Sequence, residues 1–131
     1  MRAALVDEIG RLPTVKDVPE PERGEGRALV EVTAAPLNPI DLSIAGGRFY
    51  ERATELPYVP GKEGLGRVLE SDSLSAGTRV YFPMPGGLGG AGAFSERAAP
   101  LEREPGGEAR HAEARGQRVI DAVGHGYRLL L

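Results

Sequence analysis

Leu56-Pro57-Tyr58-Val59-Pro60-Gly61-Lys62-Glu63-Gly64-Leu65-Gly66-Arg67-Val68 sets two prolines, three glycines and one carboxylate among apolar residues. Pro57 and Pro60 fix φ and predict an extended arm. Gly61, Gly64 and Gly66 permit positive φ or a close backbone approach that a side chain would block. Arg67 to Glu70 then reads as a strand. The unit is an arm, a glycine corner carrying an inward-looking Glu63, and a strand leaving it.

Around that corner lies a chain of 131 residues, a length that suits one compact domain with a sizeable core. Its 19 glycines and 11 prolines predict short strands and many turns rather than a helix bundle. Formal net charge is -3 and no basic block stands out, which argues against nucleic acid as a partner. With no cysteine there is neither disulfide nor thiolate metal site. The opening Met1-Arg2-Ala3-Ala4-Leu5-Val6 is too short for a signal peptide, and no run reaches membrane-spanning length. These features predict a cytoplasmic protein that does not enter a membrane.

In chain order, strands are expected at Arg2–Ile9 and Leu12–Val18. A polar turn from Pro19 to Gly26 precedes the strongest strand, Ala28–Ala35, which is rich in β-branched residues. Pro39 opens a short helix to Ala45, with Asp41 in its first turn and Gly46 as its stop. Arg48-Phe49-Tyr50 forms an aromatic loop. Further strands are expected at Gly77–Phe82 and Ala93–Ala99, the latter closed by Pro100. Charge, Pro and Gly make Leu101–Gly107 a linker. Glu108–Val123 has helix-forming composition, and Tyr127–Leu131 can form a final strand.

The corner resembles the Pro-Gly-x-Glu-x-x-Gly-x-Val signature of the medium-chain dehydrogenase/reductase superfamily. Leu37-Asn38-Pro39-Ile40-Asp41 resembles the Leu-Asn-x-x-Asp segment of its zinc-independent quinone oxidoreductases. Gly77-Thr78-Arg79-Val80 and Gly92-Ala93-Phe94-Ser95-Glu96-Arg97 resemble two later segments, in the same order. The resemblance implies a mainly β, GroES-like partly open barrel with short helices over residues 1–100. Residues 101–131 are then linker, helix and terminal strand, or the returning C-terminal part of the same domain. Zinc alcohol dehydrogenases place a histidine ligand where this chain has Lys62. An ammonium has no lone pair for a metal, so no metal site is expected there.

The implied function is the catalytic domain of an NADPH-dependent oxidoreductase, passing hydride to a quinone or enone. Asn38 would hydrogen-bond the nicotinamide ribose, or else cap the turn before Pro39. Phe49 and Tyr50 would line the substrate slot, since Ser43 stands where relatives often carry a tyrosine. Asp41, Gly61, Glu63 and Gly66 form the structural motif, and no catalytic acid or base is expected. Relatives follow the barrel with a Rossmann domain of several βαβ units, about thirty residues each. The residues after Pro100 cannot hold one. NADPH binding by this chain alone should therefore be weak or absent, and the implied partner is a separate nucleotide-binding chain or, in a homo-oligomer, a second copy. The alternatives are a non-catalytic barrel binding a small apolar ligand or a partner subunit, and a truncated product inactive alone.

Gly87-Leu88-Gly89-Gly90-Ala91-Gly92 also spells Gly-x-Gly-x-x-Gly. A phosphate-binding reading needs a helix directly after it. The following residues read as a strand ending at Pro100, which makes this a loop before a barrel strand that could close over a substrate. His111 and His125 have no partners at metal-ligand spacing.

Overall fold

The computed structural model describes residues 1–50 and 55–102. The expected helix at 108–123 and strand at 127–131 lie outside the described residues. Within them the elements are β1 (Arg2–Leu5), β2 (Thr14–Asp17), β3 (Leu29–Ala34), α1 (Pro39–Ala45), β4 (Glu63–Glu70), β5 (Arg79–Pro83) and β6 (Arg97–Ala98). All strand pairs are antiparallel. β1 and β2 form a two-stranded sheet, and the other four form a sheet in the order β5-β4-β3-β6. Isolated bridges Ala3–Ser95 and Val6–Tyr58 tie the hairpin to the rest of the chain. The sheets are open rather than closed, in keeping with a GroES-like partly open barrel.

β4 begins at Glu63, four residues earlier than its sequence predicts. Its inner face is Gly64, Gly66 and Val68, so alternation is present but two of three inward positions carry no apolar side chain. Those gaps are filled from across the barrel. A Cβ on Gly64 would sit 2.7 Å from the Phe82 ring, and one on Gly66 only 2.3 Å from the Glu31 carbonyl oxygen. The glycines let β3 and β5 close on β4. Val30, Phe82, Met84, Ala28, Ala93 and Ala98 make the main core.

Four other expectations change. β1 ends at Leu5, and Gly10 turns the chain with φ +84°. β2 is exposed throughout, with Val15 on the surface, and Leu12 before it is 89% exposed. β6 shrinks to two residues, because the backbone before it bonds elsewhere. Gly92 N–H donates to Val59 O at 2.6 Å, Ala93 N–H to Gly61 O at 3.0 Å and Phe94 N–H to Pro60 O at 3.0 Å. The glycine corner thus takes the backbone bonds that a longer β6 would have offered β3. Finally, residues 55–57 bend rather than extend, and the Leu56–Pro57 peptide is cis.

α1 spans the predicted residues. Asn38 caps it with extended backbone (φ -96°, ψ 154°), Pro39 opens it and Gly46 closes it. Ile44 on its inner side joins Val6 and Tyr58 in a second apolar cluster.

Candidate functional site

The junction of α1 with the glycine corner collects most of the polar residues singled out above. Asp41 is 2% exposed. Its Oδ2 accepts from the Asn38 N–H at 2.8 Å, and its Oδ1 accepts from the Lys62 N–H at 2.9 Å. One carboxylate therefore starts the helix and pins the corner to it. Burial pushes the Asp41 carboxyl above the ordinary aspartate range. The amides of Asn38, Lys62 and Gly61 oppose this, and the nearby Glu63 charge adds to it.

Glu63 holds side chains rather than backbone. Its Oε1 accepts from Asn38 Nδ2 at 2.7 Å, and its Oε2 accepts from the Tyr81 hydroxyl. The backbone-holding carboxylate of the motif is Asp41, in the first turn of α1. A carboxylate accepts hydrogen bonds and does not donate them, so Glu63 fixes which end of the Asn38 amide faces it. Asn38 Oδ1 then points elsewhere. It is buried with no partner, in a residue only 7% exposed.

The two aromatics differ in burial. Phe49 packs against the Val6–Ile44–Tyr58 cluster, whereas Tyr50 is 85% exposed. Their ring centroids are 4.4 Å apart with planes tilted by 39°. Gly61 has φ +105°, and a Cβ there would meet the Phe94 ring at 2.7 Å. Lys62 Nζ donates to the Pro85 carbonyl at 3.0 Å, latching the corner to the start of the glycine-rich loop. In that loop, Gly87 lies against Tyr58, and a Cβ added to it would come within 2.5 Å of the ring edge. No helix follows the loop among the described residues. Burial, and then the Asp41 charge, raise the Tyr58 hydroxyl pKa, and that hydroxyl is also buried without a partner.

Sequence reasoning missed Tyr81 and Tyr58. Tyr81 reaches Glu63 because β5 runs antiparallel to β4 with Pro83 opposite Glu63. Only that register, which the residues do not spell out, could have revealed the contact.

A nicotinamide cofactor is implied by the resemblance. Two buried polar atoms without a partner, Asn38 Oδ1 and the Tyr58 hydroxyl, are of the kind a ligand hydroxyl satisfies, and both are covered from solvent. Among the described residues the pyrophosphate end finds no match, because no helix directly follows the glycine-rich loop to receive it. Among the described residues there is no cluster of three metal-ligating side chains and no helix long and apolar enough to cross a membrane.

Such a partly open barrel with a polar helix-to-corner junction defines a GroES-like class. Residues 24–121 match the family model described as the alcohol dehydrogenase GroES-like domain. The chain belongs to that family, within the medium-chain dehydrogenase/reductase superfamily. It is 45% identical over 65 residues to a mitochondrial enoyl-[acyl-carrier-protein] reductase of Caenorhabditis elegans, covering 50% of this chain and 18% of that one. It is 33% identical over 88 residues to a chloroplastic NADPH-dependent alkenal/one oxidoreductase of Arabidopsis thaliana, covering 62% and 23%. The quinone oxidoreductase of Thermus thermophilus superposes with a TM-score of 0.65 at 29% identity, covering 78% of this chain and 30% of that one. The chain thus spans less than a third of the length of these relatives.

Proposed function

We propose that this chain is the substrate-side, catalytic portion of a zinc-independent, NADPH-dependent oxidoreductase acting on quinones or enones. The observation that carries the reading is Lys62. The position that would hold a zinc ligand bears an ammonium already bonded to a backbone carbonyl, in a chain similar to alkenal and quinone reductases. NADPH, when bound, supplies hydride to the acceptor. The residues of this chain position rather than react. Glu63 orients the Asn38 amide, Asp41 holds the backbone on which Asn38 and Lys62 sit, and the exposed Tyr50 ring, backed by the core-packed Phe49, offers an apolar wall. Asn38 Oδ1 is out of contact with solvent, so a ligand hydroxyl reaches it only when a covering group moves.

In this reading the adenine and pyrophosphate are held by a nucleotide-binding domain or chain. Binding energy from that remote end positions the reacting ring, so its loss lowers rate as well as affinity. Calorimetric NADPH titration and a quinone- and enone-reduction assay test it. The chain alone should bind more weakly than micromolar and turn over neither substrate at an appreciable rate. Micromolar affinity with turnover would contradict the need for a second nucleotide-binding part.

A second reading, a non-catalytic barrel that docks a partner subunit, has one feature in its favour. Leu37 just before α1, Leu42 on it and Tyr50 shortly after it are exposed. An apolar face of this kind is commonly an interaction surface. Sedimentation of the purified chain tests it: a strict monomer at high concentration would remove this support.

A further inference from the structure

β5 and β6 are the two edges of the four-stranded sheet. Between the chain leaving β5 and the chain leaving β6 lies a pocket of about 270 Å³, lined by Arg27, Lys62, Pro83, Met84, Pro85, Pro100 and Leu101. It contains neither Asn38, Phe49 nor Tyr50, and Lys62 is the residue it shares with the glycine corner. The prolines cannot donate a backbone bond, which keeps both edges from pairing across the gap. The walls are therefore apolar rings, a flexible thioether and one leucine.

Two cations line this apolar pocket and no acid does. Arg2, Arg11, Lys16, Arg23 and Arg97 each pair with a carboxylate. Arg27 and Lys62 are among those that form no ion pair within the described residues. Each instead spends one donor on a backbone carbonyl that fixes its direction. Arg27 Nη1 donates to Ala99 O at 2.7 Å, and Lys62 Nζ to Pro85 O at 3.0 Å. A guanidinium has five N–H donors and an ammonium three, so both keep donors for a ligand. The chain as a whole carries net negative charge, yet the charged residues lining this pocket are both cations.

We propose that this seam pocket binds a small organic carboxylate, its head group between Arg27 and Lys62 and its apolar body against Met84 and the prolines. The charge sets the class of ligand, because a carboxylate supplies acceptors to both cations. The volume sets the size, since it falls just below the range of drug-sized sites, roughly 300–1,000 Å³. The pocket shares Lys62 with the proposed reductase reading, but carboxylate binding there is read without NADPH or a reducible substrate, so the two can fail separately.

The chain's two methionines, Met1 and Met84, make the test direct. With 13C-labelled methionine methyls, sodium 4-phenylbutyrate is titrated against its uncharged amide. The acid should shift the Met84 signal saturably and leave Met1 still, and the amide should bind about tenfold more weakly. Arg27→Gln and Lys62→Gln should each weaken the acid by a similar factor, while Arg27→Lys retains binding and Arg48→Gln changes nothing. An unmoved Met84 signal, or equal shifts with acid and amide, would overturn the proposal. So would a Met84 shift caused by raising protein concentration alone, which would give the pocket to a second copy. If the glutamine variants fold poorly, the acid-against-amide comparison on the native chain decides.

Discussion

The glycine corner and the glycine-rich loop have similar compositions, but they differ in which of their glycines are required. In the corner, Gly66 stands where β3 presses its backbone onto β4, with the Glu31 carbonyl at 2.3 Å from any added Cβ. In the loop, Gly87 and Gly92 are confined as closely, against the Tyr58 ring at 2.5 Å and the Pro60 carbonyl at 2.2 Å, but Gly90 faces only Pro85, at 3.2 Å, and has no left-handed backbone requirement. The loop nevertheless carries the better-known spacing. A glycine pattern acquires meaning from what sits opposite each residue, and here the unmotivated-looking glycines hold the fold.

That contrast gives the largest expected effect. Gly66→Ala forces backbone apart at the β3–β4 pairing and should cost about 3 kcal/mol in denaturant unfolding. A near-neutral result would mean β3 can retreat, and that the close approach is not needed.

Asp41→Asn comes next. The variant keeps one acceptor but turns an NH2 toward a backbone amide, leaving a buried donor unsatisfied, and should cost about 2 kcal/mol. Its pH dependence has a definite sign. The folded-state pKa of Asp41 is raised by burial, so its stabilising contribution is fully present below the ordinary aspartate value and is lost as pH rises through the folded value. The gap between wild type and variant should therefore widen on acidification from neutral pH. Glu102 acts in the reverse sense: hydrogen bonds from Ser73 lower its pKa, so its contribution is lost as pH falls. A gap that narrows with acid would show that hydrogen bonds, not burial, dominate at Asp41.

Glu63→Gln is milder for stability, about 1 kcal/mol, since glutamine can still accept once. Its sharper consequence is orientational. Without an acceptor-only partner the Asn38 amide can turn over, and its side-chain NH2 signals should broaden or shift by NMR. Unchanged Asn38 signals would mean Glu63 does not set the amide.

Gly90→Ala should change stability by no more than about 0.5 kcal/mol, the usual range for a surface position. A large loss would restore a special role to the loop.

Legibility in the sequence follows the same division. α1 is readable at both ends because Asn38, Pro39, Asp41 and Gly46 are local signals whose partners lie within a turn. The start of β4 is not, because Gly64 and Gly66 carry no apolar side chain on the buried face. β6 is overestimated because Gly92, Ala93 and Phe94 bond to residues 59–61, a long-range choice invisible in local pattern. The site divides likewise. Asp41 at its helix start is legible, but its bond to the Lys62 amide is not. The Asn38–Glu63 contact spans 25 residues and requires the fold. Phe49 and Tyr50 are expected together, yet one serves the core while the other faces solvent.

In the proposed reading this chain supplies the nicotinamide side of a reductase and leaves the rest of the cofactor to another part. Saturation-transfer NMR on the intact chain with NADPH tests that division most directly. Transfer should reach the nicotinamide and its ribose, with little to the adenine, and the nicotinamide signal should be lost in Asn38→Ala. Transfer dominated by adenine protons, or a nicotinamide signal indifferent to Asn38, would contradict it.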